Sequence, residues 1–141
     1  MEVLYYKRTH LPQEFEETLG VRFCNLNELL RSSDFVSLHV PHTQETDKLL
    51  GKAEFQVMKS TAYLINTARG GEVDEEALVW ALKSREIAGA GLDVFREEPV
   101  PLDHPLLQFD NVVLSPHIGG GSGTGRAALT EELRTLISNA L

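Results

Sequence analysis

Ala62-Tyr63-Leu64-Ile65-Asn66-Thr67-Ala68-Arg69-Gly70-Gly71 is an apolar run that breaks into a polar turn ending on two glycines. Asp74 follows, then Glu75 and Glu76, with Leu78, Ala81 and Leu82 recurring at helical spacing. Asp74 is a sound N-cap, and acids in a first helical turn are favoured by the helix dipole. Ile87-Ala88-Gly89-Ala90-Gly91-Leu92-Asp93-Val94 is a second apolar run, of small residues that suit close approach of backbone or ligand. The whole stretch reads as strand, loop, helix, strand. Repeated, that unit builds a parallel sheet covered on both faces by helices.

The alternation continues in both directions. Upstream, 2–6 reads as a short strand and 12–19 as a helix stopped by Gly20. Asn25 caps a second helix whose Leu26, Leu29 and Leu30 share one stripe. A strand over 35–40 ends at Pro41, and a helix covers 52–58. Downstream, Val112-Val113-Leu114 is the last strand, and a final helix spans 125–141 with Leu129, Leu133, Leu136 and Ile137 on one side. The fold class is α/β, a doubly wound, Rossmann-like parallel sheet. Such sheets bind ligands where loops leave the C-terminal ends of the strands. Lys7, Pro41, Arg69, Asp93 and His117 all fall at such ends.

Composition narrows the function classes. The 141 residues suit one domain, with 42% apolar and 24% charged residues and a net charge of −8. The longest basic run is Lys7-Arg8, so there is no stripe to displace counterions from nucleic acid or to hold an anionic membrane. Cys24 is the single cysteine and reads as a small buried hydrophobe. No run approaches the ~20 apolar residues of a membrane span, and no secretory pattern opens the chain, so the cytoplasm is expected. Metal binding finds no support. The histidines at 10, 39, 42, 104 and 117 lack ligand spacing apart from His39 and His42, which straddle Pro41.

Gly123-Thr124-Gly125-Arg126-Ala127-Ala128 matches a loose dinucleotide fingerprint. It lies beyond the last strand, with no room for a further strand carrying a ribose-binding acid. Arg126 also stands where a phosphate loop of the nucleotide-hydrolase type needs lysine. A turn into the last helix accounts for it.

Three side chains carry chemistry. Arg69 sits just past a buried strand, and its planar fork is the natural receptor for a carboxylate; the plain alternative is a surface arginine beside a Gly-Gly turn. Glu98, in Arg96-Glu97-Glu98-Pro99, alone would be part of a solvated acidic turn. His117, in Ser115-Pro116-His117-Ile118-Gly119-Gly120, alone would be structural. Together they mean more. A glutamate near a histidine fixes its tautomer and raises its pKa into the working range, and an arginine alongside suits proton transfer at an oxygen-bearing carbon next to a carboxylate.

The motifs in order resemble the D-isomer-specific 2-hydroxyacid dehydrogenases from about Val3 to Leu136. They are Ser37-Leu38-His39-Val40-Pro41, Thr43-Gln44-Glu45-Thr46 with Leu49-Leu50, Leu64-Ile65-Asn66-Thr67-Ala68-Arg69-Gly70-Gly71, the 88–99 block and Pro116-His117-Ile118-Gly119. Within that family the chain looks most like the glyoxylate and hydroxypyruvate reductases. The resemblance implies that Arg69 binds the carboxylate and carbonyl oxygen of a small 2-keto acid. It implies that His117 is the general acid or base and that Glu98 holds it protonated. It also implies that Val40, Pro41, Thr46, Thr67, Ala68, Arg69, Asp93, His117, Ile118 and Gly119 lie along the nicotinamide and ribose.

Relatives that use NAD place an acid at the end of the strand 2–6, whereas this chain has Lys7, Arg8 and Thr9. Two cations and a hydroxyl suit a 2′-phosphate, so NADP is the expected cofactor, with NAD possible. The resemblance also implies a Gly-rich pyrophosphate loop, just upstream of Met1, and a substrate domain, neither found within 1–141. The chain is therefore expected to be part of the NAD(P)-binding domain of a longer, homodimeric parent. Alone it is expected to bind dinucleotide weakly or not at all and to show no turnover. The strand preceding that loop is expected between strands 2–6 and 62–66. Two alternatives stand beside this reading. One is a dinucleotide-sensing corepressor-like module, against which Gly119-Gly120-Gly121 speaks because those proteins carry aromatic residues there. The other is a degenerate remnant.

Overall fold

The computed structural model describes residues 1–120, so the expected helix over 125–141 and the Gly123–Ala128 turn lie outside the described residues. In chain order come β1 (Val3–Tyr5), α1 (Gln13–Leu19), β2 (Val21–Phe23), α2 (Leu26–Ser32), β3 (Phe35–Leu38), α3 (Lys52–Val57), β4 (Tyr63–Asn66), α4 (Glu75–Lys83), β5 (Gly89–Leu92) and β6 (Val112–Leu114). Short 3-10 turns at Gly70–Glu72 and Pro105–Gln108 complete the list.

Local chemistry sets the boundaries. Gly20 ends α1 in the left-handed region, at φ 64°, which a side chain would disfavour. Asn25 Oδ1 accepts the Glu28 N–H at 2.9 Å to open α2. Asp74 Oδ1 accepts from Glu76 and Ala77 to open α4. β3 stops at Leu38, two residues short of the expected end, because Val40-Pro41 turns away and proline has no N–H to offer a ladder.

All pairings are parallel. β1 pairs with β2, and a second sheet runs β3-β4-β5-β6. This corrects one expectation: β4 is paired on both sides, by β3 and by β5, so no further strand can lie against it. The register explains why. Val36 and Leu38 align with Leu64 and Asn66, and those with Ala90 and Leu92, forming one buried row across three strands. Among the described residues, the edges of β1 and β3 turned away from their partners are unpaired.

That row meets Leu30 of α2, Phe55 of α3 with Met58, and Leu78, Ala81 and Leu82 of α4, which together form the core. Cys24 is buried, as expected, and burial pushes its thiol pKa up. On the opposite face Phe35 and Tyr63 stack at 5.6 Å and 18°, both exposed, and Val113 is exposed as well. Helices α2, α3 and α4 pack on the other face of the four-stranded sheet, and the last helix expected from the sequence lies outside the described residues.

Candidate active site at the strand ends

β1, β3, β4, β5 and β6 deliver Lys7, Pro41, Arg69, Asp93 and His117 one to three residues past their last positions. Parallel pairing puts such positions at one end of each sheet.

His117 and Glu98 meet. His117 Nδ1 lies 2.7 Å from Glu98 Oε2, while Glu98 Oε1 accepts the Phe95 N–H at 2.9 Å. The hydrogen bond with His117, aided by that from Phe95, holds the Glu98 carboxyl below its usual pKa. Both side chains stay partly exposed, so the pair is open to a ligand. Because Nδ1 is engaged, Nε2 is the nitrogen left for another partner.

The turn carrying His117 is strained and held. His117 has φ 53°, a left-handed conformation that costs a non-glycine residue about 1–2 kcal/mol. Asp93, buried at the end of β5, supplies the restraint. Its Oδ1 accepts the Ile118 N–H at 3.0 Å and its Oδ2 the Gly119 N–H at 2.7 Å, and the Ser115 hydroxyl also donates to Oδ1. The Ser115 bond, then the backbone donors, hold the Asp93 carboxyl below its usual pKa. The Asp93 carboxylate is thus engaged from inside the protein, by the turn that presents His117.

Arg69 lines a cleft of about 860 Å³ together with His39, Val40, Pro41, His42, Ala68, Gly70, Gly71, Phe95 and Arg96. The guanidinium is exposed, and its NH1 donates to the Ala68 carbonyl at 2.6 Å. Gly70 is obligatory here: a Cβ would stand 1.9 Å from the Phe95 carbonyl carbon. Glu98 and His117 do not line this cleft. The two groups are joined at Phe95, whose backbone presses on Gly70 and donates to Glu98.

The remaining expected residues divide. The Thr46 hydroxyl closes its own loop, donating to Pro41 O at 2.7 Å and accepting from Thr43 N at 2.8 Å. Thr67 is exposed in the turn after β4. Lys7, Arg8 and Thr9 are exposed beyond β1, and neither cation forms an ion pair among the described residues. Glu45 lies near enough to Arg8 to be affected: the Thr43 hydroxyl first, and Arg8 more weakly, lower its pKa. Residues of the site that went unassigned in the sequence include His39, Phe95 and Arg96 of the cleft lining, and also Ser115, Asn66, Glu72 and His42, which pairs with Asp47 at 3.0 Å. Only Asn66 and Ser115 gave a signal, as polar residues closing apolar strands.

These features are those of a ligand site: a cleft at the strand ends, a half-exposed imidazole joined to it through Phe95 and, past β1, two cations unpaired among the described residues. A family model described as "D-isomer specific 2-hydroxyacid dehydrogenase, NAD binding domain" matches residues 1–119. The chain belongs to the D-isomer-specific 2-hydroxyacid dehydrogenase family. Among relatives of this dehydrogenase domain is the glyoxylate/hydroxypyruvate reductase B of Citrobacter koseri, 52% identical over 122 residues, which cover 86% of the chain and 37% of that protein. Solved structures include D-lactate dehydrogenase from Lactobacillus jensenii with NAD+, at TM-score 0.82 and 34% identity over 99% of this chain and 45% of that one. A 2-hydroxyacid dehydrogenase from Xanthobacter autotrophicus, in complex with NADPH, matches at TM-score 0.76 and 38% identity over 83% and 37%. The chain spans less than half the length of the curated relatives it matches. Among its described residues no helix is long and apolar enough to cross a membrane.

Proposed function

We propose that this chain supplies the nicotinamide-facing and acid–base part of a reductase. The reaction interconverts a small 2-keto acid, glyoxylate or hydroxypyruvate, and its D-2-hydroxy acid. The observation that carries the reading is the Glu98–His117 pair, in which Nδ1 is engaged and Nε2 has no partner among the described residues. Arg69 receives the substrate carboxylate through its fork and polarises the carbonyl oxygen. His117, in its protonated form, gives its Nε2 proton to that oxygen and takes it back in the reverse direction. The bound dinucleotide supplies or accepts hydride at C2. Val40, Pro41, Thr46, Thr67, Ala68, Arg69, Asp93, His117, Ile118 and Gly119 border the nicotinamide and ribose. Lys7, Arg8 and Thr9 take the 2′-phosphate, which gives an NADP(H) preference over NAD. The complete protein is a cytoplasmic homodimer in this reading.

The test is binding. Oxamate, a 2-keto acid mimic that cannot be reduced, is titrated into the complete protein with NADPH present while the Arg69 and His117 resonances are followed by NMR. Both are expected to move, and Arg69→Lys should weaken oxamate about ten- to a hundredfold, since the fork is lost while the charge stays. Movement at neither residue at millimolar oxamate would sink the proposal.

A further inference from the structure

Glu72 is fully buried, and the chemistry above does not use it. Its Oε2 accepts the Arg69 backbone N–H at 3.0 Å, and its Oε1 has no hydrogen-bond partner among the described residues. No cation pairs with it there either. Burying a carboxylate so poorly compensated works against stability, and an apolar side chain of similar size would pack at lower cost. The Glu72 carboxylate closes the N-terminal end of the Gly70–Glu72 turn by accepting the Arg69 N–H, while backbone bonds hold the residues on either side. Gly71 O accepts from Lys48 at 2.8 Å, Glu72 O accepts from Leu50 at 3.0 Å, and Leu50 O accepts from Asp74 at 3.0 Å.

What the carboxylate does reach is residue 69. Buried Asn66 grips the same residue from the other side, donating from Nδ2 to Arg69 O at 2.8 Å, while its Oδ1 accepts the Ala68 N–H at 3.0 Å. Both backbone polar groups of Arg69 are therefore held by buried side chains. The residue is fixed in an extended conformation, φ −147° and ψ 156°, with Gly70 wedged on Phe95 immediately after it. Clamping N–H and C=O fixes the direction of the Cα–Cβ bond, and so the root of a long side chain that ends in solvent.

We infer that Glu72, with Asn66 opposite, is a positioning residue that aims the Arg69 guanidinium, so that stability is given up for geometry. The inference rests on the reading of Arg69 as the carboxylate receptor. Misplacing a substrate-orienting group by about 1 Å can cost on the order of a hundredfold in rate, so the hold matters although Glu72 touches no ligand.

In the complete protein, the experiment compares wild type, Glu72→Gln and Glu72→Leu by Arg69 amide hydrogen exchange, Tm and oxamate affinity. Glu72→Gln keeps an acceptor for the Arg69 N–H and should hold exchange and affinity within about threefold of wild type. Glu72→Leu should keep or raise Tm, yet speed Arg69 exchange and weaken oxamate, each by about tenfold. A Glu72→Leu protein with lowered Tm and unchanged exchange and affinity would overturn the inference, leaving a merely structural carboxylate. Should Glu72→Leu not fold, the wild type still decides: an Arg69 amide exchanging as fast as that of exposed Thr67 refutes the hold. Failure of wild type to bind oxamate is a separate failure, of Arg69's assigned role, and the exchange comparison then judges the clamp alone.

Discussion

Glu98 bridges His117 and the backbone of its own loop: one oxygen is 2.7 Å from His117 Nδ1, the other 2.9 Å from the Phe95 nitrogen. Turning the carboxylate releases one of the two, so its orientation is fixed twice over. A carboxylate can only accept, which makes Nδ1 the protonated nitrogen. When its ring is neutral, the Nδ1–H tautomer of His117 should therefore dominate. Glu98→Ala should move the balance to the Nε2–H form, read from the imidazole nitrogen shifts. An unchanged tautomer ratio would mean that the contact does not select it.

Acid should loosen the turn that presents His117. Asp93 and Glu98 both have folded-state pKa values below their ordinary ones, 3.8 and 4.5. Each binds its proton more readily when unfolded. The stability each contributes is thus fully present above the ordinary value and is lost as pH falls through the folded one. Urea midpoints should hold steady above pH 5 and fall below about pH 4.5. Asp93→Asn should be less stable at pH 7 and show a shallower fall, because one of the carboxyls whose pKa folding lowers is gone. A parallel fall in the variant would remove Asp93 from this linkage.

Two glycines should respond differently to alanine. Gly70→Ala puts a Cβ 1.9 Å from the Phe95 carbonyl carbon, within the backbone of the loop that holds Glu98. Overpacking against backbone costs about 3 kcal/mol or more, since no rotamer can yield. Gly20→Ala meets open space and bears only the penalty of φ 64°, about 1 kcal/mol. Urea denaturation of both gives the ranking, and equal costs would show that the 89–98 segment moves freely off Gly70.

The strand–helix alternation was legible because five strands are largely apolar runs closed by turn residues. β2 was not. Val21-Arg22-Phe23 is too short to show alternation and draws its pairing from β1, across α1. The ends of the strands named Arg69, Asp93 and His117 correctly as residents of strand termini, since a parallel sheet forces that placement. Asp93 binding backbone at 118 and 119 was beyond reach, because side chain-to-backbone bonds across 25 and 26 residues leave no periodic trace. The same holds for His117's left-handed backbone, which the sequence gives to a residue that ordinarily avoids it. Glu72 was hidden for the opposite reason: a glutamate after two glycines reads as solvated, yet it is buried.

In the proposed reading, cofactor preference turns on two exposed cations and one acid near them. Lys7 and Arg8 lie two and three residues past β1 without an ion-pair partner among the described residues, while Glu45 feels Arg8. A 2′-phosphate arriving there would gain charge-assisted contacts of about 1.5–3 kcal/mol each, less screening at physiological salt. In the complete protein, Lys7→Glu combined with Arg8→Ala should then weaken NADPH about ten- to a hundredfold and leave NADH within about threefold, by fluorescence titration at fixed ionic strength. Glu45→Gln works in the other direction. It removes the acid that competes with phosphate for Arg8, so NADPH should tighten modestly while NADH does not. Tighter NADH than NADPH in wild type, or equal loss of both in the double variant, would place these cations outside the cofactor's reach.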